Sequence, residues 1–345
     1  MDGIAHAMKK TPAFIPLLLV LLCFTALVSL TLGRYPVTWG DLRDGFSQAL
    51  LHRQVMDSQR FETLKNILVD IRLPRIVAAM LIGASLSVSG VTFQSMFMNP
   101  LVSPGLLGVL AGASFGAAVG MMIASSWFVV QCCAVFFGLL SVAAALGMAA
   151  LYRGDRLLML ILGGIISGAL FTSLLSVVKY IADPYNQLPA IVYWLMGSLS
   201  MADGKTVWLV SIPSLTGMVI LFFLSGYLNV LSMGDEEARS LGVNVRLIRI
   251  LLILPATLIS ALTVAVGGII GWVGLVIPHI GRMIVGPDNR ILLPASAIIG
   301  AIYLLVVDDI SRLLFSVEIP IGILTSLAGI PFFALVLRNA KKGWN

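Results

Sequence analysis

Residues 76–98 read IVAAMLIGASLSVSGVTFQSMFM and residues 101–124 read LVSPGLLGVLAGASFGAAVGMMIA. Neither run holds a charge, and each matches the roughly 20 residues a helix needs to cross a bilayer's hydrocarbon core. Seven further apolar runs follow, most of them of that length and without charge: 13–33, 127–152, 157–178, 207–230, 247–270, 291–307 and 319–337. A tenth, residues 271–285, is short and carries Gly271, Gly274, Pro278, His279 and Arg282. It reads as a broken or short span enclosed by protein rather than one facing lipid.

Composition agrees. Of the 345 residues, 59% are hydrophobic and 11% charged, against about 25% charged in soluble domains. Lipid must solvate much of this surface. The expected fold is all-α, a membrane protein of about ten transmembrane helices with both termini on the inner side. Residues 1–345 form one domain. Its main non-membrane pieces are an outer loop, 34–75, an outer short helix within 182–206, and an inner segment, 232–249. Tyr193 and Trp194 suit the headgroup level of that short helix. The first run is expected to be a retained span. Its 21 residues exceed a signal core and no small-residue cleavage pattern follows.

Lysine and arginine set the orientation. With ten spans, the inner segments hold Lys9, Lys10, Arg153, Arg156, Arg239, Arg246, Arg249, Arg282, Arg290, Arg338, Lys341 and Lys342. The short outer segments hold Lys179, Lys205 and Arg312. The outer loop departs from the rule with seven basic residues, mixed with Asp41, Asp44, Asp57, Glu62 and Asp70. The net charge of +6 is thus explained by anchoring at anionic lipid and does not point to nucleic acid.

Several chemistries are excluded. Gly204-Lys205-Thr206 mimics the end of a phosphate-binding loop, but Leu199 occupies the first glycine position. His6, His52 and His279 are far apart, and no nucleophile triad or metal motif is present. Cys23, Cys132 and Cys133 lie in apolar runs and read as small apolar residues.

Four features carry information. Gly108, Gly112, Gly116 and Gly120 fall on one helix face and predict close helix packing. Residues 234–242, GDEEARSLG, predict a short amphipathic helix. Asp235 is its N-cap, Glu236 and Glu237 are in its first turn, Ala238 and Arg239 follow, and Gly242 stands just past its end. It reads either as an ordinary capped connection or as a docking helix for an inner partner. Arg72-Leu-Pro-Arg75 sits where the outer loop enters the second span; Pro74 suits a first turn, so both arginines are expected to project at the outer mouth. Asp308, Asp309, Arg312 and Glu318 must lie near the interface, pair with one another, or face water, because an intramembrane charge costs about 2.5–3.5 kcal/mol on insertion scales.

Together these residues resemble a known family. Arg72-Leu-Pro-Arg75, Gly83, Gly90, Gln94 and the run 99–108 (NPLVSPGLLG) are similar to the first signature of FecCD-type permeases, the membrane subunits of type II ABC importers for iron–siderophores, haem and cobalamin. The run 231–242, Gly274 to His279 with Arg282, Asp308 to Arg312, 318–322 and 329–331 resemble the second. The resemblance spans about residues 70–335. Asn289 stands where the family commonly has His, and Trp272 where it often has Phe or a small residue.

The resemblance implies a homodimer in the cell's inner membrane, with its pathway at the dimer interface and no cofactor bound by this chain. ATP is used by two cytoplasmic ATPase subunits docking on the helix at 235–241 (Gly234, Asp235, Glu236, Glu237, Ala238, Arg239, Leu241, Gly242). A periplasmic or lipid-anchored binding protein meets Arg72, Arg75 and Arg312 with its glutamates, and Asn99, Pro100 and Leu101 form a cytoplasmic gate. The implied cargo is a metal chelate, an iron–siderophore or haem first, then cobalamin, molybdate or tungstate. The chain itself is implied to do no bond chemistry. An ion-coupled secondary transporter would need a deep ionisable residue, for which Asp308 and Lys179 are the only candidates.

Overall fold

The computed structural model describes residues 11–51, 56–124, 126–151 and 156–340. His6, Lys9, Lys10, His52, Arg53, Arg153, Lys341 and Lys342 lie outside the described residues, as do the side chains of Arg156 and Arg338. The helices are α1 Thr11–Thr31, α2 Trp39–Leu51, α3 Ser58–Lys65, α4 Leu73–Met96, α5 Val109–Ile123, α6 Trp127–Leu151, α7 Arg156–Ile181, α8 Gln187–Leu195, α9 Gly204–Phe223, α10 Ser225–Leu231, α11 Asp235–Ser240, α12 Val245–Gly267, α13 Val273–Val285, α14 Asn289–Leu313 and α15 Ile321–Ala340. Seven helical stretches are long and apolar enough to span, and Val109–Ile123, Val273–Val285 and 321–336 are shorter apolar helices. The seven plus the three match the ten runs of the sequence.

α4 is the axis of the bundle: 83% of its most apolar window is buried, against 11% for α1 and 28% for α7. Glycines let its neighbours come that close. A Cβ at Gly90 would lie 2.1 Å from the Gly274 carbonyl oxygen of α13, and one at Gly83 would lie 2.1 Å from that of Gly300 in α14. The α5 glycine face packs as expected. Gly112 and Gly116 press on the carbonyls of Phe137 and Cys133 in α6, with virtual Cβ distances of 2.4 and 2.2 Å.

α12 and α13 form one broken element. α12 runs outward for 23 residues, turns at Gly268 (φ +68°), and α13 returns inward over 13 residues. The turn is held from outside by the Ser198 N–H, which donates to the Gly267 carbonyl at 2.9 Å. Buried irregular backbone of this kind is tolerated where protein, not lipid, surrounds it. The short tenth run thus becomes an enclosed half-length span.

One expectation changes. The outer segment 34–75 is mostly helical, and α3 runs into α4 without a break through a π-helical stretch, Asn66–Arg72. Pro74 stands in the first turn of α4, as expected, although helix precedes it as well. The π stretch, in which the Leu73 N–H reaches back to the Leu68 carbonyl, brings the chain to the position where Pro74 has no N–H to offer. α2 is tied to α3 by Asp41, which exchanges bonds with Thr38 and pairs with Arg60 at 2.6 Å. The Thr38 backbone N–H first, then its hydroxyl and Arg60, hold the Asp41 carboxyl below its usual range. Trp194 of α8 is turned into the bundle. It is 8% exposed, inside a cluster with Ala113, Val264 and Ala265, while Tyr193 is exposed. α8 packs across the outer end of α5, so one face of it belongs to the core.

Candidate functional site

Three places on the bundle hold the residues singled out by the sequence. The first is at the outer end, where α1, α4 and α14 meet. Arg75 is chelated by two acids: its Nε and Nη2 donate to Asp308 at 3.0 and 2.9 Å, and its Nη1 and Nη2 donate to Glu318 at 3.1 and 2.9 Å. Arg312 lies one turn from Asp308, with Nε 3.2 Å from Oδ2, and also donates to Asp309. Ser29 of α1 donates to Asp309 at 2.7 Å. Among the described residues Arg72 forms no ion pair. It donates to the Leu30 and Tyr35 carbonyls, both at 2.5 Å, and caps the turn between α1 and α2. Gly33 is needed there, because a Cβ would stand 2.5 Å from the Arg72 Nη2.

Three arginines and three carboxylates thus balance within one cluster. The acids and Arg312 pair with one another, one of the arrangements that the cost of an intramembrane charge allows. The arginines, however, do not project at the outer mouth. All three are buried, because Asp308 and Glu318 come within reach of Arg75 only when α14 packs along α4. Asp308, fully enclosed between two guanidiniums, is not a free carboxylate of the sort an ion-coupled carrier needs.

The second place is the turn after α4, at the opposite end. The Asn99 N–H donates to the Gln94 carbonyl at 3.1 Å, the Met98 N–H to the Ser95 carbonyl at 3.3 Å, and the Leu101 N–H to Asn99 Oδ1 at 2.9 Å. Met98 has φ +50°, a costly value for a long side chain. Asn99, Pro100 and Leu101 are exposed. Gln94 is anchored in turn: its Oε1 accepts from Arg282 and its Nε2 donates to the Gly274 carbonyl at 3.3 Å.

The third is α11. Its end follows the sequence reading: Gly242 (φ +79°) donates to the Arg239 carbonyl at 2.9 Å and Val243 to that of Ala238 at 3.0 Å, a Schellman closure. Its start differs. Gly234 is the N-cap and Asp235 is the first helical residue. The Asp235 carboxylate is drawn away by Arg249 of α12, at 2.5 and 3.0 Å, with Arg239 at 3.6 Å. With Ala238 buried, the helix is fixed on one face, while Glu236, Glu237, Arg239 and Leu241 are exposed. Sequence reading missed Arg249 as the partner of Asp235, and Ser29 and Arg75 as partners of the outer acids. α12 is apolar apart from Arg246 and Arg249, and Arg249 falls on its buried face, the one local sign that an acid must meet it.

The second and third places lie on the same face of the bundle, since Ser232, just before α11, donates to the Ser95 carbonyl at 3.3 Å. Among the described residues no group of acids, histidines and cysteines could hold a metal.

Comparison with known proteins places the chain in a family. The family model of the FecCD transport family matches residues 19–339. The chain is 37% identical over 326 residues to the molybdate import system permease protein MolB of Haemophilus influenzae, covering 94% of this chain and 95% of the relative. It is 36% identical to the hemin transport system permease protein HmuU of Yersinia pestis, covering 94% and 95%. A solved structure of an inward-facing metal-chelate type ABC transporter superposes with a TM-score of 0.84 at 37% identity, over 95% of this chain and 99% of that one. The chain belongs to the FecCD transport family, as a multi-pass membrane permease subunit of an ABC importer rather than an enzyme.

Proposed function

We propose that this chain imports a metal chelate, an iron–siderophore or haem, as one of two identical permease subunits driven by two cytoplasmic ATPases. The observation that carries the coupling part is α11. It is clamped to α12 by the Asp235–Arg249 pair and shows Glu236, Arg239 and the 61% exposed Leu241 to the cytoplasmic side. A rigid, charged helix with an apolar end is a surface that an ATPase can push. The gate turn at Asn99, Pro100 and Leu101 lies on that same face. Movement of α11 opens or closes it, giving alternating access. The weakly buried faces of helices such as α7, with exposed Ile165, Ile166, Leu170 and Val177, suit a partner copy. The metal-chelate reading rests on the solved relative and on the haem permease. The molybdate permease favours an oxyanion as the second reading.

The test is reconstitution in proteoliposomes with the ATPase and binding protein. Haem, a ferric siderophore, cobalamin and molybdate are offered in turn. ATP-dependent uptake of a chelate is expected; uptake of molybdate alone overturns the cargo assignment. Leu241→Asp is expected to weaken ATPase co-purification about ten-fold, the loss of roughly 1.4 kcal/mol from an apolar contact. Undiminished co-purification would remove α11 as the docking helix.

The binding protein docks over Arg72, Arg75 and Arg312. Because Arg75 is already held by Asp308 and Glu318, docking proceeds by exchange: an incoming acid replaces Glu318, whose side chain is the more exposed of the two at 27%. Glu318→Gln, which frees one side of Arg75, is expected to tighten binding-protein affinity in a pull-down titration. Equal or weaker affinity would speak against the exchange.

A further inference from the structure

The link between docking helix and gate is a partly buried set of polar side chains centred on one buried asparagine. Asn289, the first residue of α14, is 2% exposed. Its Oδ1 accepts from the Ser95 hydroxyl of α4 at 2.8 Å. Its backbone N–H and Nδ2 both donate to Asn229 Oδ1 of α10, at 2.8 and 2.9 Å. Asn229 Nδ2 donates to Asp288 at 2.6 Å, which also caps α14 through the Arg290 N–H at 3.0 Å. One side chain therefore joins three helices.

The Ser95 carbonyl serves both sides. It accepts the Met98 N–H that closes the gate turn, at 3.3 Å, and lies 3.3 Å from the Ser232 hydroxyl, three residues before α11, which is shared with the Leu228 carbonyl of α10 at 2.8 Å. α10, which carries Asn229, is otherwise fixed by Leu228 and Leu231 in the core. Apolar contacts resist separation but are non-directional. A satisfied buried hydrogen-bond set has a fixed register, because any slip leaves donors unpaired.

We infer that Asn289, Asn229 and Ser95 form a polar clasp that positions the gate turn against the coupling segment, so that displacement of α11 reaches Leu101 through α10 and the end of α4. They are positioning residues of the transport cycle. The inference rests on the coupling and gate roles proposed above.

The test uses the full permease with its ATPase, in a background with Cys23, Cys132 and Cys133 replaced by Ala. Leu101→Cys reports on the gate by its rate of labelling with a soluble maleimide, without nucleotide and with ATP trapped by vanadate. The reference complex is expected to change its labelling rate about five-fold or more, the lower end of inter-site couplings. Asn289→Ala is expected to abolish most of that change while ATP turnover stays within about two-fold, a split that a general loss of stability does not give. Asn229→Ala and Ser95→Ala break the same clasp from α10 and α4. They carry the same expectation should the first variant fail to assemble. A full nucleotide response in variants that assemble overturns the clasp. Absence of a response in the reference complex overturns instead the gate assignment on which the clasp rests.

Discussion

Replacing Asp308 with Asn is expected to destabilise the permease by about 3–5 kcal/mol, the range for breaking a buried pair from one side. Asp308 is 0% exposed and lies 2.9–3.2 Å from nitrogens of both Arg75 and Arg312. The amide keeps the shape but removes the charge. One half of it is also a donor facing guanidinium donors. The cluster then holds three arginines against Asp309 and Glu318 alone. Thermal unfolding of the purified variant should show a clearly lowered midpoint. The double variant Arg75→Met with Asp308→Leu should recover much of the loss, because it leaves Arg312 with Asp309 and strands no deeply buried charge. A midpoint equal to the parent's in Asp308→Asn would mean that the carboxylate contributes nothing to the cluster.

Gly83→Ala is the second large expectation. The added methyl would stand 2.1 Å from the Gly300 oxygen and 2.7 Å from its carbon. A flexible side chain could move aside, but backbone cannot. Relief requires α4 and α14 to part along the contact that also aligns Arg75 with Asp308 and Ser95 with Asn289. Overpacking costs about 1–3 kcal/mol and sometimes more, and the obstacle here puts the change at the upper end. Gly147→Ala is the control, with nothing within 4 Å of its new methyl, and is expected to stabilise its helix by about 0.5–1 kcal/mol. If both variants unfold at the parent's midpoint, the α4–α14 contact is looser than its geometry states.

The ten spans, the enclosed half-span that carries Arg282, the α5 packing face and the Gly242 stop were all legible in the chain. Each is local. Span length and apolarity are properties of about twenty consecutive residues. A glycine stripe follows from the helical repeat, and a helix end from one left-handed residue. The helicity of 34–75 was less legible, since mixed charge reads as loop whenever the segment's partners are unknown.

The direction of the arginines was not legible. Arg72-Leu-Pro-Arg75 looks like an outward pair because its local neighbours are polar and proline suits a helix start. What turns Arg75 inward is Asp308, 233 residues away. Asp235 likewise read as an N-cap, and became the partner of Arg249 because α12 brings a buried cation beside it. By itself the sequence determined which segments enter the membrane, where they stop and which faces pack closely, since transfer of apolar groups and backbone conformation depend on the residue and its near neighbours. Tertiary structure alone decided which charge meets which and which helices Asn289 joins. A buried polar group must find a partner, and only the packing of distant helices determines which one is within reach.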